Sequence, residues 1–166
     1  VVAMLRALRH LATPFWILRL RFGAGLLERI ARRIGEVERA HPGELRFVVE
    51  HALEIGDLID RVSPRQRALE LLGLLRVWDT EQNNGVLVYV LYADHAVEIV
   101  ADRGLARRVP QEDWDRLCRE VETHFRAVRY EAGAMSAIDG AARLLERHFP
   151  ARVAGPNELP DQPLLL

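Results

Sequence analysis

Trp78-Asp79-Thr80-Glu81-Gln82-Asn83-Asn84-Gly85 leads into Val86-Leu87-Val88-Tyr89-Val90-Leu91, and after a polar reversal at Ala93, Asp94 and His95 the chain returns as Val97-Glu98-Ile99-Val100-Ala101-Asp102-Arg103-Gly104. The apolar run from Val86 to Leu91 has no polar face, which suits the centre of a sheet covered on both sides. The short reversal predicts a hairpin, so Val97 to Ala101 runs antiparallel to it.

Working backwards, Glu44-Leu45-Arg46-Phe47-Val48-Val49-Glu50 alternates, apart from Val48, and predicts a strand with one buried face. Ser63-Pro64-Arg65-Gln66 opens a helix: the serine caps, the proline suits the first turn, and the glutamine completes a capping box. Strand, helical connection and strand predict a parallel pair with a right-handed crossover. Upstream, Leu27, Ile30, Ala31, Ile34 and Val37 recur at helical spacing until His41, Pro42 and Gly43 stop the helix. Downstream, Trp114, Leu117, Cys118, Val121, Phe125 and Val128 form one helical face, and Met135, Ile138, Ala142, Leu145 and Phe149 another. Phe15 to Phe22 fits a helix or a fourth strand. The expected fold class is α/β, an α/β/α sandwich with a small mixed sheet and helices on both faces.

Length and composition suit one core: 166 residues, 49% apolar and 28% charged. A net charge of −1 gives no reason to expect nucleic acid. Residues 1–33 are different, with seven arginines against the single acid Glu28. Leu5, Leu8, Leu11 and Ala12 lie at helical spacing among Arg6, Arg9 and His10. Such a segment either packs its leucines on the domain and solvates its arginines, or docks through residues 1–22 on a protein partner or an anionic membrane surface. No run approaches the ~20 apolar residues that span a bilayer, and no signal peptide is evident, so the expected location is cytoplasmic or peripheral to a membrane. The expected organisation is a basic N-terminal segment (1–25), a domain (26–150) and a loose tail (151–166). Cys118 falls on a helical apolar face, where a buried thiol is the usual outcome.

The Gly43–Val49 strand, Trp78-Asp79, Asn83-Asn84-Gly85 before the apolar strand, and Val97 through Gly104 together resemble the TPM domain family, named for thylakoid lumen, photosystem-associated and eukaryotic membrane proteins. The chain resembles a short, bacterial-like member. The resemblance covers about residues 26–150, and the Asn-Gly entry into the apolar strand is its most specific part. It implies an α/β/α sandwich, divalent-metal binding in some members with calcium among the candidates, and an acid phosphatase activity attributed to a plant member.

Topology independently points to one sheet edge. Parallel first and central strands start together at Glu44 and Gly85, the antiparallel third strand ends there at Asp102, and the 79–84 loop feeds the same edge. Asp79, Asn83, Asn84, Asp102 and Glu44 are the candidate metal ligands, with calcium or magnesium the cation such oxygen donors favour. Thr80 and Arg103 are the candidate substrate-binding residues. Turn chemistry accounts for the same Asp, Asn and Gly residues one by one, so both readings stand. The opposite edge, where ligands usually bind in open α/β sheets, carries Glu50, His51, Glu54, Asp94 and His95. His41, His124 and His148 lie near helix ends or on helix faces and suit capping or surface roles. There is no phosphate loop, dinucleotide fingerprint or serine elbow. Two functions follow: a divalent-metal-binding interaction or regulatory module, or a metal-dependent acid phosphatase hydrolysing phosphomonoesters. No catalytic residue is identifiable.

Overall fold

Residues 2–148 and 156–166 are described by a computed structural model of the chain. In order, the elements are α1 (Val2–Leu11), α2 (Phe15–Arg21), α3 (Ala24–Val37), β1 (Glu44–Glu50), α4 (Ile55–Ile59), α5 (Pro64–Leu74), β2 (Gly85–Leu91), β3 (Ala96–Ala101), α6 (Arg103–Ala106), α7 (Gln111–Arg126), α8 (Tyr130–His148) and β4 (Leu164–Leu165). The sheet order is β3-β2-β1-β4. β1 and β2 pair in parallel from Glu44 opposite Gly85 to Glu50 opposite Leu91, and β3 returns antiparallel from Ala96 opposite Leu91 to Ala101 opposite Val86.

Strand alternation sorts the apolar residues between two cores. Val86, Val88 and Val90 join Leu45, Phe47 and Val49 against α3, α7 and α8, where Ile30, Ile34, Trp114, Val121, Phe125 and Ile138 are buried. Leu87, Tyr89 and Leu91 join Val48 against Ala68 and Leu71 of α5. This is why β2 carries no polar position: a polar side chain on either face would enter a core without solvent. The expected mixed sheet with helices on both faces is therefore present.

β1 departs from a strand with one buried face, because its polar ends are buried too. Glu50 accepts from Arg67 Nη2 at 2.7 Å, Arg67 Nε at 3.0 Å and the Tyr89 hydroxyl at 2.6 Å. Such satisfaction is what makes an ionised carboxylate tolerable inside a fold. The capping box at Ser63 and Gln66 forms as expected.

Three segments depart from expectation or resolve it. Phe15–Arg21 is helical and inserts Leu18 and, just beyond it, Phe22 into the larger core. Much of the tail is placed rather than loose: Leu164 and Leu165 pair with Val48 and Val49 in parallel, and Arg46 donates to the Pro160 carbonyl at 2.9 Å. Phe149 lies outside the described residues. Finally, α1 does not pack its leucines inward: Leu5, Leu8 and Leu11 are exposed, whereas His10 is buried. No helix among the described residues is long and apolar enough to cross a membrane.

Val128 also leaves the apolar face expected of it. It follows the end of α7 with φ of 60° and is 54% exposed. Arg129 N–H reaches the His124 carbonyl at 2.9 Å, so the reversal itself requires the left-handed conformation, which costs an L residue roughly 1–2 kcal/mol and a β-branched one no less. Val128→Gly should raise stability by about 0.5–1 kcal/mol, read from the urea midpoint. A loss of stability would contradict the assignment.

Candidate functional site

The loop before β2 is built by local turn chemistry. Asn83 adopts the left-handed region at φ 52°, which asparagine tolerates better than most residues, and its N–H closes on the Thr80 carbonyl at 3.1 Å. Thr80 is buried, and its Oγ1 accepts the Asn84 N–H at 3.0 Å. Two glycines allow the close approach that follows. A Cβ on Gly85 would lie 2.0 Å from the Val77 carbonyl oxygen, and one on Gly104 would lie 2.3 Å from that of Asn83.

At the end of β3, Asp102 N–H donates to the Gly85 carbonyl at 2.8 Å, which ties the loop to the third strand. Asp102 Oδ1 then accepts the Arg103 N–H at 2.6 Å as α6 begins, and Arg103 Nε donates to Asn83 Oδ1 at 3.1 Å. Asn84 donates through Nδ2 to the Pro42 carbonyl, and its own carbonyl accepts the Glu44 N–H at 3.1 Å. After these bonds, Asn84 Oδ1 and Asp102 Oδ2 remain buried without a donor. Beside them Gln82, Asn83, Arg103, Gly104 and Arg107 line a cavity of about 300 Å³.

Arg103 thus links Asn83 and Asp102, while Asn84 bonds Thr80, Pro42 and Glu44 and the remaining candidates are engaged elsewhere. Asp79 is exposed and ion-paired with Arg76. Glu44 turns to the tail, where Oε2 accepts the Glu158 and Leu159 N–H groups, each at 3.1 Å. Thr80 is committed to closing its own loop. Among the described residues, no three His, Cys, Asp or Glu side chains gather so as to hold a metal ion.

The opposite sheet edge serves as scaffold. Glu50 is held by Arg67 and Tyr89 as above, and His51 Nδ1 lies 3.0 Å from the Leu166 carbonyl. Asp94 is held by Arg6 Nε at 2.9 Å, by Arg9, and by His10 Nε2 at 3.1 Å. Burial alone would raise the Asp94 pKa, but His10 and Arg6 hold it well below the usual carboxylate range. His95 is the left-handed residue of the reversal, with its pKa lowered chiefly by burial and then by Arg9 and Arg126. Cys118 is buried, and burial pushes its thiol up to about 12, away from the thiolate form that reacts.

A second polar cluster has no sequence signature, because tail residues Asn157 and Asp161 close it from more than 110 positions away. Glu38, His41, Glu44 and Asp161 line a cavity of about 290 Å³ with Gly35, Arg39 and Asn157. His41 is neither a surface residue nor a free one: it is buried and its Nδ1 accepts the Gly43 N–H at 3.1 Å, although Nε2 has no partner. Burial, opposed by the Leu45 N–H and reinforced by Glu44 and Asp161, pushes Glu38 up to about 8. Glu44 is raised as well, first by burial.

Comparison with known proteins follows the same lines. The sequence model of the TPM domain matches residues 24–144. The chain belongs to the TPM domain family. Its fold is similar to the NMR structure of protein BA42 from the psychrophilic bacterium Bizionia argentinensis, with a TM-score of 0.74, 26% identity, and coverage of 86% of this chain and 94% of that one. The N-terminal domain of a P. gingivalis protein shares the fold at a TM-score of 0.61 and 21% identity, over 78% of this chain and 82% of that one. A comparison with curated proteins finds no match. The TPM match spans both polar clusters except for the tail residues that close the second.

Glu38 gives this TPM domain a pH dependence with a definite sign. Unfolded, its carboxyl releases its proton near 4.5, and folded it keeps it to about pH 8, so the native state binds more protons between these values. Its contribution is complete below the lower value and is lost as pH rises through the upper one. Glu38→Gln should flatten that decline, as measured by urea midpoints from about pH 4.5 to 8. An unchanged profile would contradict the burial of this carboxyl.

Proposed function

We propose that this TPM domain is a divalent-cation-binding interaction module, with Asp102 and Asn84 as its protein ligands. The supporting observation is that two oxygens at this sheet edge, Asn84 Oδ1 on the β1 side of β2 and Asp102 Oδ2 at the end of β3, are each buried without a donor. An unsatisfied buried polar atom costs about 1–3 kcal/mol, and more when charged. A cation would supply the partner such oxygens lack, and carboxylate and amide oxygens are the donors that calcium and magnesium prefer.

The donor set also limits the affinity. With a single carboxylate in the set, water completes the shell, and affinity falls at the weak end known for calcium sites, on the order of 10⁻⁴–10⁻³ M. Asp79 joins only by leaving Arg76, and Glu44 only by releasing the tail; Asn83 already shares its oxygen with Arg103. A bound cation neutralises Asp102 and fastens the loop to β3, which suits a module whose surface responds to metal.

The alternative is the metal-dependent phosphatase. One observation favours it: Arg103 and Arg107 line the adjoining cavity, and guanidinium groups bind phosphate oxygens well. In that role the two arginines would orient a phosphomonoester, while the metal would polarise it. Turnover that falls with Arg103→Ala and Asp102→Asn would support the enzyme; turnover indifferent to both would exclude it.

The direct test is a thermal melt with chelator and then with about 10 mM calcium. A site with Kd near 1 mM should add about 1.4 kcal/mol, or about 3–6 °C for a chain of this size. Asp102→Asn, which keeps an acceptor for the Arg103 N–H, should abolish the shift, and Asp79→Asn should retain it. No shift in the unaltered protein would overturn the proposal.

A further inference from the structure

Helix α1 is mounted inside out. Its polar residues face the domain: Arg6 donates to the Val62 carbonyl through Nη1 and Nη2, both at 3.1 Å, and through Nε to Asp94 at 2.9 Å. His10 Nδ1 accepts the Leu53 N–H at 2.9 Å, and its Nε2 lies 3.1 Å from Asp94 Oδ1. With that face fixed, the apolar face is outward. Met4, Leu5, Leu8 and Leu11 are 63%, 58%, 56% and 63% exposed, and on α2 Trp16 and Leu20 follow at 63% and 70%.

Within α1 and α2 the charged side chains have one sign. No Asp or Glu precedes Glu28, whereas Arg9, Arg19 and Arg21 are all exposed. Arg19 lies over the Phe15 ring at 5.4 Å and Arg21 over Tyr130 at 5.9 Å, contacts that leave their charge intact, and neither makes an ion pair among the described residues. Outward leucines, an exposed tryptophan and flanking arginines are the combination that seats a helix in the boundary between headgroups and acyl chains. The cationic border selects anionic headgroups.

We propose that α1 and α2 dock this domain on the surface of an anionic lipid bilayer, with Met4, Leu5, Leu8, Leu11, Trp16 and Leu20 as the inserted side chains. A bilayer fits better than a protein groove because Arg19 and Arg21 border the apolar side chains without an ion pair among the described residues, and neither α1 nor α2 carries an acid to pair with a partner's cation. The Asp94 cluster is the rigid mount that holds the apolar face outward. Docking is independent of the cation site, whose residues lie on the loop before β2 and the end of β3.

The test is co-sedimentation of the full chain with phosphatidylcholine vesicles, with or without about 30% phosphatidylglycerol. The protein should bind the anionic vesicles, lose binding in high salt, and bind pure phosphatidylcholine at least about tenfold more weakly. Leu5→Gln/Leu8→Gln/Leu11→Gln changes exposed positions only, so its melting temperature should hold while anionic-vesicle binding falls by about tenfold or more. Trp16 fluorescence, isolated by difference against Trp16→Phe, should shift to the blue on binding. Absence of binding, equal binding by the triple variant, or a leucine-dependent dimer that excludes vesicle binding would each overturn the proposal.

Discussion

The parallel pairing of β1 with β2 is the constraint on which both polar clusters depend. Opposing Glu44 to Gly85 brings the 79–84 loop against Pro42 on one side, and the antiparallel return of β3 brings Asp102 against Gly85 on the other. A shift of one residue would exchange the two faces of a strand that has a core on each. It would also separate Asn84 from Glu44 and Asp102 from Gly85. Gly85 allows this closure, since any side chain there would collide with the Val77 carbonyl.

The fates of the buried and half-buried acids separate scaffold from site. Glu50 meets a guanidinium and a hydroxyl, and Asp94 meets two arginines and a histidine. Glu38 and Glu44 crowd one another and the tail's Asp161, and burial raises both, Glu38 to about 8. Asp102 differs from all of them: one oxygen caps α6, and the other is buried with no donor at all. Counter-charges meet Glu50 and Asp94, backbone N–H groups meet Glu44, and Glu38 is raised to about 8, whereas Asp102 Oδ2 has no partner among the described residues.

The strands were legible because their patterns are imposed by burial. Val86–Leu91 has a core on each face and no polar residue, and the capping box at Ser63 is local chemistry that needs no tertiary context. That the 83–84 loop and Asp102 share one sheet edge was also legible, because a parallel pair followed by a hairpin brings both there. The engagement of Asp79 with Arg76 and of Glu44 with the tail was not, since side-chain partners are not a property of topology. The tail shows no periodicity and docks mainly through its backbone, which leaves no pattern. For α1, spacing revealed two unlike faces but not which one points inward; the answer lies in Asp94, 88 residues from Arg6. Val128 fitted a helical face by number, yet α7 ends before it and turns through the left-handed region.

Amide NMR during a calcium titration tests the proposed cation binding at the Asn84–Asp102 edge at residue resolution. Shifts that saturate in the high-micromolar to millimolar range, on the order of 10⁻⁴–10⁻³ M, should concentrate on Asn83, Asn84, Gly85, Asp102 and Arg103, with the Asn84 side-chain amide among them. Glu38 and Asp161 should remain unmoved. Shifts centred on the Glu38 and Asp161 cavity, or scattered over exposed acids, would contradict the account and return Asp102 to a helix-capping role.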